Sequence, residues 1–125
     1  MTIAVDFDGT VVKHKYPDVG EDIGAVPVLR KLAEKHHIIL CTMRSHKPTN
    51  GKDTLADAIN WFNENKIPLF AVNENPTQNK WTDSNKIFAH LYIDDSALGV
   101  PVKIDEEGNR FVDWNRVEKM LINIL

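Results

Sequence analysis

The sequence predicts an α/β domain, a parallel sheet with helices on both faces, filling residues 1–125 as one unit. Two observations carry this expectation. Four apolar runs, at residues 3–7, 38–42, 68–72 and 90–93, are separated by segments that are polar or that repeat apolar residues at helical spacing. Ile38-Ile39-Leu40-Cys41-Thr42 is continuous rather than alternating, as expected for a parallel strand covered on both faces. The hydrophobic fraction of 42% and charged fraction of 26% supply core and surface in ordinary globular proportion.

Ile3 to Phe7 reads as the first buried strand, followed by an aperiodic polar loop from Val11 to Glu21. Val26, Leu29, Leu32 and Ala33 then recur at helical spacing. Ile38 to Thr42 is the second strand. A polar loop with Pro48 and Gly51 leads to a helix marked by Leu55, Ile59 and Phe62, with Asp53 or Thr54 as its cap. Pro68 to Val72 reads as a third strand, Thr77 to Asn85 as a loop or short helix, and His90 to Ile93 as a fourth strand ending in Asp94-Asp95. Val100 to Ile104 and Phe111-Val112 flank Glu107-Gly108-Asn109, as in a hairpin or two short edge strands. Asp113 is placed to cap a last helix carrying Trp114, Val117, Leu121 and Ile124. Right-handed crossovers would bring every strand's carboxyl end to one edge, where ligands of open α/β sheets bind.

A net charge of −3 and dispersed Lys and Arg residues leave no basic track for a phosphate backbone, which argues against nucleic acid as the principal partner. Cys41 is the single cysteine and lies in an apolar run, where it reads as a small buried hydrophobe. No segment has transmembrane length and no signal-like leader precedes the first strand, so no membrane partner and a cytoplasmic location are expected.

The chemistry concentrates in Asp6-Phe7-Asp8-Gly9-Thr10, directly after the apolar Ile3-Ala4-Val5. Alternate residues of a strand share a face, so Asp6 and Asp8 can reach one site, and Gly9 lets the chain turn. Two buried carboxylates repel unless a divalent cation neutralises them or one holds a proton. Asp-Gly alone would mark only a turn. Both acids, the Gly, the Thr and the preceding strand together point to a metal.

The pentapeptide resembles the first motif of the haloacid dehalogenase (HAD) superfamily, Asp-x-Asp-x-Thr after a hydrophobic strand. Thr42, Lys86 and Asp94-Asp95 are similar to the second, third and fourth motifs, in order, so the resemblance spans the chain. It implies a three-layer Rossmann-like sheet and Mg²⁺-dependent phosphoryl transfer through an aspartyl-phosphate. Asp6 would be the nucleophile, and Asp8 the acid/base group whose backbone carbonyl also binds the metal. Thr42 would donate a hydrogen bond to the phosphoryl group, and Lys86 would offset charge on the phosphate and on Asp6. Lys80 is the rival for the third motif; Lys86 is preferred for its place nearer Asp94. The metal set would be Asp6, Asp8, Asp94 and Asp95. Neighbours on an extended chain point to opposite sides, so one of the two last acids is expected to bind directly, by resemblance Asp95. Thr10 and Arg44 are assigned to substrate, Arg44 because it follows Thr42 by two residues. His14 and His46 lie in loops near strand ends, within reach of a substrate.

HAD enzymes commonly insert a cap domain over the site, and this chain has little room for one. The resemblance therefore implies a cap-less member that hydrolyses a phosphate monoester, small or large. The substrate itself, a second subunit in a homo-oligomer, or the loops at 13–22 and 46–52 would cover the site. The alternatives are a non-catalytic HAD-like module that binds metal or phosphate for regulation, and a nucleic-acid end phosphatase.

Overall fold

The computed structural model describes all 125 residues. Strands β1 (Thr2–Val5), β2 (His37–Leu40), β3 (Ala71–Val72) and β4 (Leu91–Ile93) form an all-parallel sheet in the order β3-β2-β1-β4. Helices α1 (Ala25–Lys35) and α2 (Thr54–Glu64) make the first two crossovers. A separate antiparallel hairpin, β5 (Val102–Ile104) and β6 (Arg110–Val112), leads into α3 (Trp114–Met120).

Local chemistry accounts for the element ends. Asp22 accepts from the Ala25 and Val26 N–H groups (3.0 and 3.4 Å), and Pro27 sits in the first turn of α1, where its missing N–H costs nothing. Asp53 caps α2 through the Ala56 N–H (2.9 Å), and Asp113 caps α3 through Arg116 (3.4 Å). The last helix stops at Met120, short of the expected span. Beyond it the chain tightens to bonds three residues apart, while Leu121 and Ile124 still pack on the core. β3 is shorter than its apolar run, which begins with Pro68. Bonds from Phe70 N–H to Ile38 C=O and from Asn73 N–H to Leu40 C=O (both 2.7 Å) extend its pairing at each end.

Register sorts the side chains. Ile3, Val5, Ile38, Leu40 and Ile93 share one sheet face and join a single core with Leu29 and Leu32 of α1, Leu55 and Phe62 of α2, and Trp114 and Val117 of α3. The expectation of helices on both faces is therefore corrected: all three α-helices feed the core of one face. Ala4, Ile39 and Tyr92 lie on the other, and the connection between β3 and β4 crosses there, Tyr92 Oη donating to Ile87 C=O (2.7 Å). That connection holds only the short 3-10 helix Pro76–Lys80. The physical reason is composition: Asn73, Asn75, Pro76, Asn79, Asp83, Ser84 and Asn85 favour turns and side-chain caps over a continuous helix. No helix is long and apolar enough to cross a membrane.

The loops after β1 and β2 are fastened to each other. Tyr16 Oη lies 3.2 Å from Thr49 Oγ1, Lys52 pairs with Asp18, and Arg44 donates to the Pro17 and Asp18 carbonyls. Both loops leave the sheet at its carboxyl edge.

Candidate functional site

Asp6 continues the sheet one step past β1, its N–H donating to Ile93 C=O (3.0 Å). Phe7 turns into the core, and the Thr10 and Val11 N–H groups close back on the Phe7 carbonyl (3.0 and 2.9 Å). Gly9, at φ +77°, makes this return possible. The junction of β6 and α3 holds the turn from behind: Val112 N–H donates to Gly9 C=O (3.0 Å), and Trp114 Nε1 to Thr10 C=O (2.6 Å).

Oxygens of Asp6, Asp94 and Asp95 gather within 4.8 Å of one another. The expectation that Asp94 and Asp95 diverge is corrected, because the extended chain ends at Ile93. Ser96 N–H donates to Asp94 Oδ1 (2.8 Å) and Ala97 N–H to Asp94 C=O (3.0 Å), and this turn lets both acids face Asp6. Thr10 Oγ1 donates to Asp6 Oδ2 (2.8 Å) and accepts from Asp95 N–H (3.0 Å). His14 Nε2 lies 3.1 Å from Asp95 Oδ2, and Arg110 Nη2 donates to Asp95 C=O (2.9 Å). Burial above all, with added repulsion from Asp94, pushes the Asp6 carboxyl up to about 7. The same burial, with Asp6 and Asp94 nearby, pushes the Cys41 thiol up, so Cys41 is no ready thiolate.

Asp8 lies apart from this trio. Arg44 grips it as a fork, Nε to Oδ2 at 2.9 Å and Nη2 to Oδ1 at 2.8 Å. The Asp8 carbonyl accepts no hydrogen bond. Arg44 is buried, 2% exposed, with its guanidinium carbon 4.9 and 5.2 Å from the ring centroids of Phe7 and Tyr16. It also donates to Thr54 C=O (3.1 Å). Its assignment to substrate is corrected, because its donors are occupied by Asp8 and three backbone carbonyls. Thr10 is corrected likewise: it is fully buried and its hydroxyl ties Asp6 to Asp95, so it positions carboxylates rather than touching a ligand.

Thr42 is half-buried at the end of β2. Its N–H donates to Asn73 Oδ1 (2.8 Å) and its hydroxyl accepts from Arg44 N–H (3.1 Å), which leaves the hydroxyl proton free to donate elsewhere. Lys86 is exposed, with Nζ 5.9 Å from the Tyr92 ring centroid, and forms no ion pair with the acidic trio; nor does Lys80. Tyr92 pairs in register with Ala4, two residues before Asp6 on the same face. Lys86 thus lies beside a strand position two residues short of the acidic pair. His46 turns away to Asp53 (2.8 Å). His14 and Asn73 are the residues whose roles sequence reasoning missed. Asn73 had a usable signal, a polar residue directly after an apolar strand. His14 was visible only as a loop residue near a strand end, and a loop of eleven residues decides that it lands on Asp95.

Gly9 also makes room for the His14–Asp95 contact. A Cβ at position 9 would fall 2.0 Å from His14 Nε2 and 2.6 Å from Asp95 Oδ2. Gly9→Ala is expected to displace His14 and to destabilise the protein by about 2–3 kcal/mol, combining the clash with a left-handed backbone. Urea unfolding and the His14 ring resonances would check this; a native His14 signal would contradict it.

No family model matches the chain, and no curated protein does. A solved structure described as a conserved protein from Bacteroides thetaiotaomicron does match, with a TM-score of 0.76 and 35% identity, over 98% of this chain and 90% of that one. Identity at that level across nearly both whole chains means shared descent as well as shared fold, so this chain belongs to the family of that conserved Bacteroides thetaiotaomicron protein.

Proposed function

We propose that the chain is a HAD-type, Mg²⁺-dependent phosphatase that hydrolyses a phosphate monoester through an aspartyl-phosphate on Asp6. The observation that carries this reading is the gathering of Asp6, Asp94 and Asp95 at the carboxyl edge of a parallel sheet, with no lysine or arginine on any of the three carboxylates. Three hard oxygen donors within 4.8 Å fit a small divalent cation, which would also stabilise the charged form of an Asp6 carboxyl that burial pushes up to about 7. Asp6, Asp94 and Asp95 would hold the ion, joined by the free Asp8 carbonyl. Bound there, it would neutralise the carboxylates and draw charge from the phosphoryl oxygens.

The chain's own residues account for the remaining steps. An Asp6 oxygen attacks phosphorus as the bond to the leaving oxygen breaks, and the leaving oxygen takes a proton from Asp8. Water then attacks phosphorus, its proton passes to Asp8, and phosphate leaves Asp6 free. Under Arg44 both Asp8 oxygens are hydrogen-bond acceptors, which suits the base half of this cycle; the acid half needs a proton on Asp8. Thr42 donates its free hydroxyl proton to the phosphoryl group. Lys86 reaches the site by swinging off Tyr92 along the same face. The connections after β1 (residues 6–24) and after β3 (residues 73–90) are each too small to hold a separate domain, which supports the cap-less reading.

Hydrolysis of an aryl phosphate, assayed with EDTA and after Mg²⁺ is restored, tests the proposal. Activity should vanish on chelation and return with the metal. Lys86→Ala should lower kcat/KM by about 10²–10³, and Lys80→Ala should leave it nearly unchanged. Metal-independent turnover would refute the mechanism, and a wild-type rate in Lys86→Ala would refute that assignment. The absence of an ion pair from either lysine to the carboxylates favours one second reading, a module that binds metal or phosphate without turnover. Mg²⁺ binding beside a blank phosphate-ester panel would establish it instead.

A further inference from the structure

We propose that the outer edge of β4 is a homodimer interface, at which two copies pair their β4 strands antiparallel about Tyr92 and run one sheet through both. β4 ends the strand order, so its outer side pairs with nothing in the chain. The bond from Asp6 N–H to Ile93 C=O turns the Ile93 peptide groups toward β1. Alternation then turns the N–H and C=O of Tyr92 outward, away from β1, and no loop or turn of the chain bonds to either.

This edge is flanked by a hollow on each sheet face, apolar on one side and of mixed character on the other. On the face of α3, a hollow of about 210 Å³ is lined by Leu91, Ile93, Leu98, Val100 and Met120. On the opposite face, one of about 360 Å³ is lined by Trp81, Lys86, Phe88 and Tyr92. Leu98 is fully exposed, and Trp81 and Met120 are about two-thirds exposed. A strand laid along an edge projects alternate side chains to both faces, so a hollow on each side of one edge is the shape a further strand fills.

Self-association is the occupant this edge fits. A residue whose N–H and C=O both face outward can exchange both bonds with its own copy across a two-fold axis, forming one closed hydrogen-bonded pair. Leu91-Tyr92-Ile93 carries no charge, so two copies approach without repulsion, and β4 lacks the lysine or proline that commonly guards an open edge. Only one residue pair closes in this way. The two hollows must therefore supply most of the association energy, through burial of Leu98, Met120 and the aromatic side chains. In this register position 90 of one copy lies opposite position 94 of the other, which places the segment before β4 beside the neighbouring acidic site.

Light scattering across about 1–100 μM should report a species of twice the 14.2 kDa chain mass. Amide exchange at Tyr92 should slow as that species accumulates. Leu98→Lys/Met120→Lys alters only exposed side chains and should yield a folded monomer with a fast-exchanging Tyr92 amide. Tyr92→Pro removes the outward donor but no bond to β1, and should weaken the dimer at least tenfold. A wild-type monomer at every concentration would overturn the proposal. So would a dimer that survives both variants with Tyr92 unprotected, since the contact would then lie on another face.

Discussion

Asp6→Asn should raise the stability of the metal-free protein above pH 7 while reducing turnover by at least about 10³-fold. The two effects share one cause. In the fold the Asp6 carboxyl holds its proton up to about 7, against 3.8 for an ordinary aspartate. Between those values the folded chain binds a proton that the unfolded chain releases, so stability falls as pH rises through the window and the whole cost is present above pH 7. The gap corresponds to at most about 4 kcal/mol; it comes chiefly from burial of the carboxyl, and because the site is still partly open to solvent about 2–3 kcal/mol is expected. Asn keeps the shape, accepts the Thr10 hydroxyl bond and has no charge to desolvate. Urea unfolding from pH 5 to pH 8 without metal should show the wild type losing stability and Asp6→Asn remaining nearly level. Mg²⁺ should stabilise the wild type in proportion to its binding, and the variant much less. A wild type with flat pH dependence would contradict this account of the site.

The second large effect belongs to Arg44. Arg44→Ala should destabilise the protein by about 3–5 kcal/mol, the usual loss when one partner of a buried ion pair is removed. Three deficits combine: Asp8 loses both hydrogen bonds, the Pro17, Asp18 and Thr54 carbonyls lose their donors, and the space between Phe7 and Tyr16 empties. Arg44→Lys should recover less than half, since an ammonium carries the charge without the five-donor fork. The loops at 13–22 and 45–53 should loosen together, seen as parallel loss of amide protection. Equilibrium unfolding at constant m would measure the stability change. A cost below 1 kcal/mol for Arg44→Ala would mean that the fork adds little to the fold.

The strands and helices were legible because they follow from periodicity, and periodicity is local. All four apolar runs became parallel strands, Asp53 and Asp113 became caps, and the hairpin closed around Gly108. The layer expected on the second face was less legible. A crossover of polar residues covers a sheet as well as a helix does, and the strand pattern is the same under either cover. Among site residues, Asp6 and the Asp94-Asp95 pair could be placed because strand ends of a parallel sheet converge on one edge. Arg44 and Thr10 were misassigned for a common reason. Position near a site does not say which way a side chain turns, and both turn inward to satisfy carboxylates.

The sequence by itself determined the parallel α/β frame and the arrival of Asp6 and the Asp94-Asp95 pair at one sheet edge, because right-handed crossovers bring every strand's carboxyl end there. Only the tertiary structure decided that Asp8 belongs to Arg44, that His14 rests on Asp95 over Gly9, and that both acids of the last pair face Asp6. Those contacts join residues 36, 81 and about 90 positions apart. They depend on ångström-scale distances and on which partner removes the most buried unpaired charge, and no local pattern in the chain encodes either.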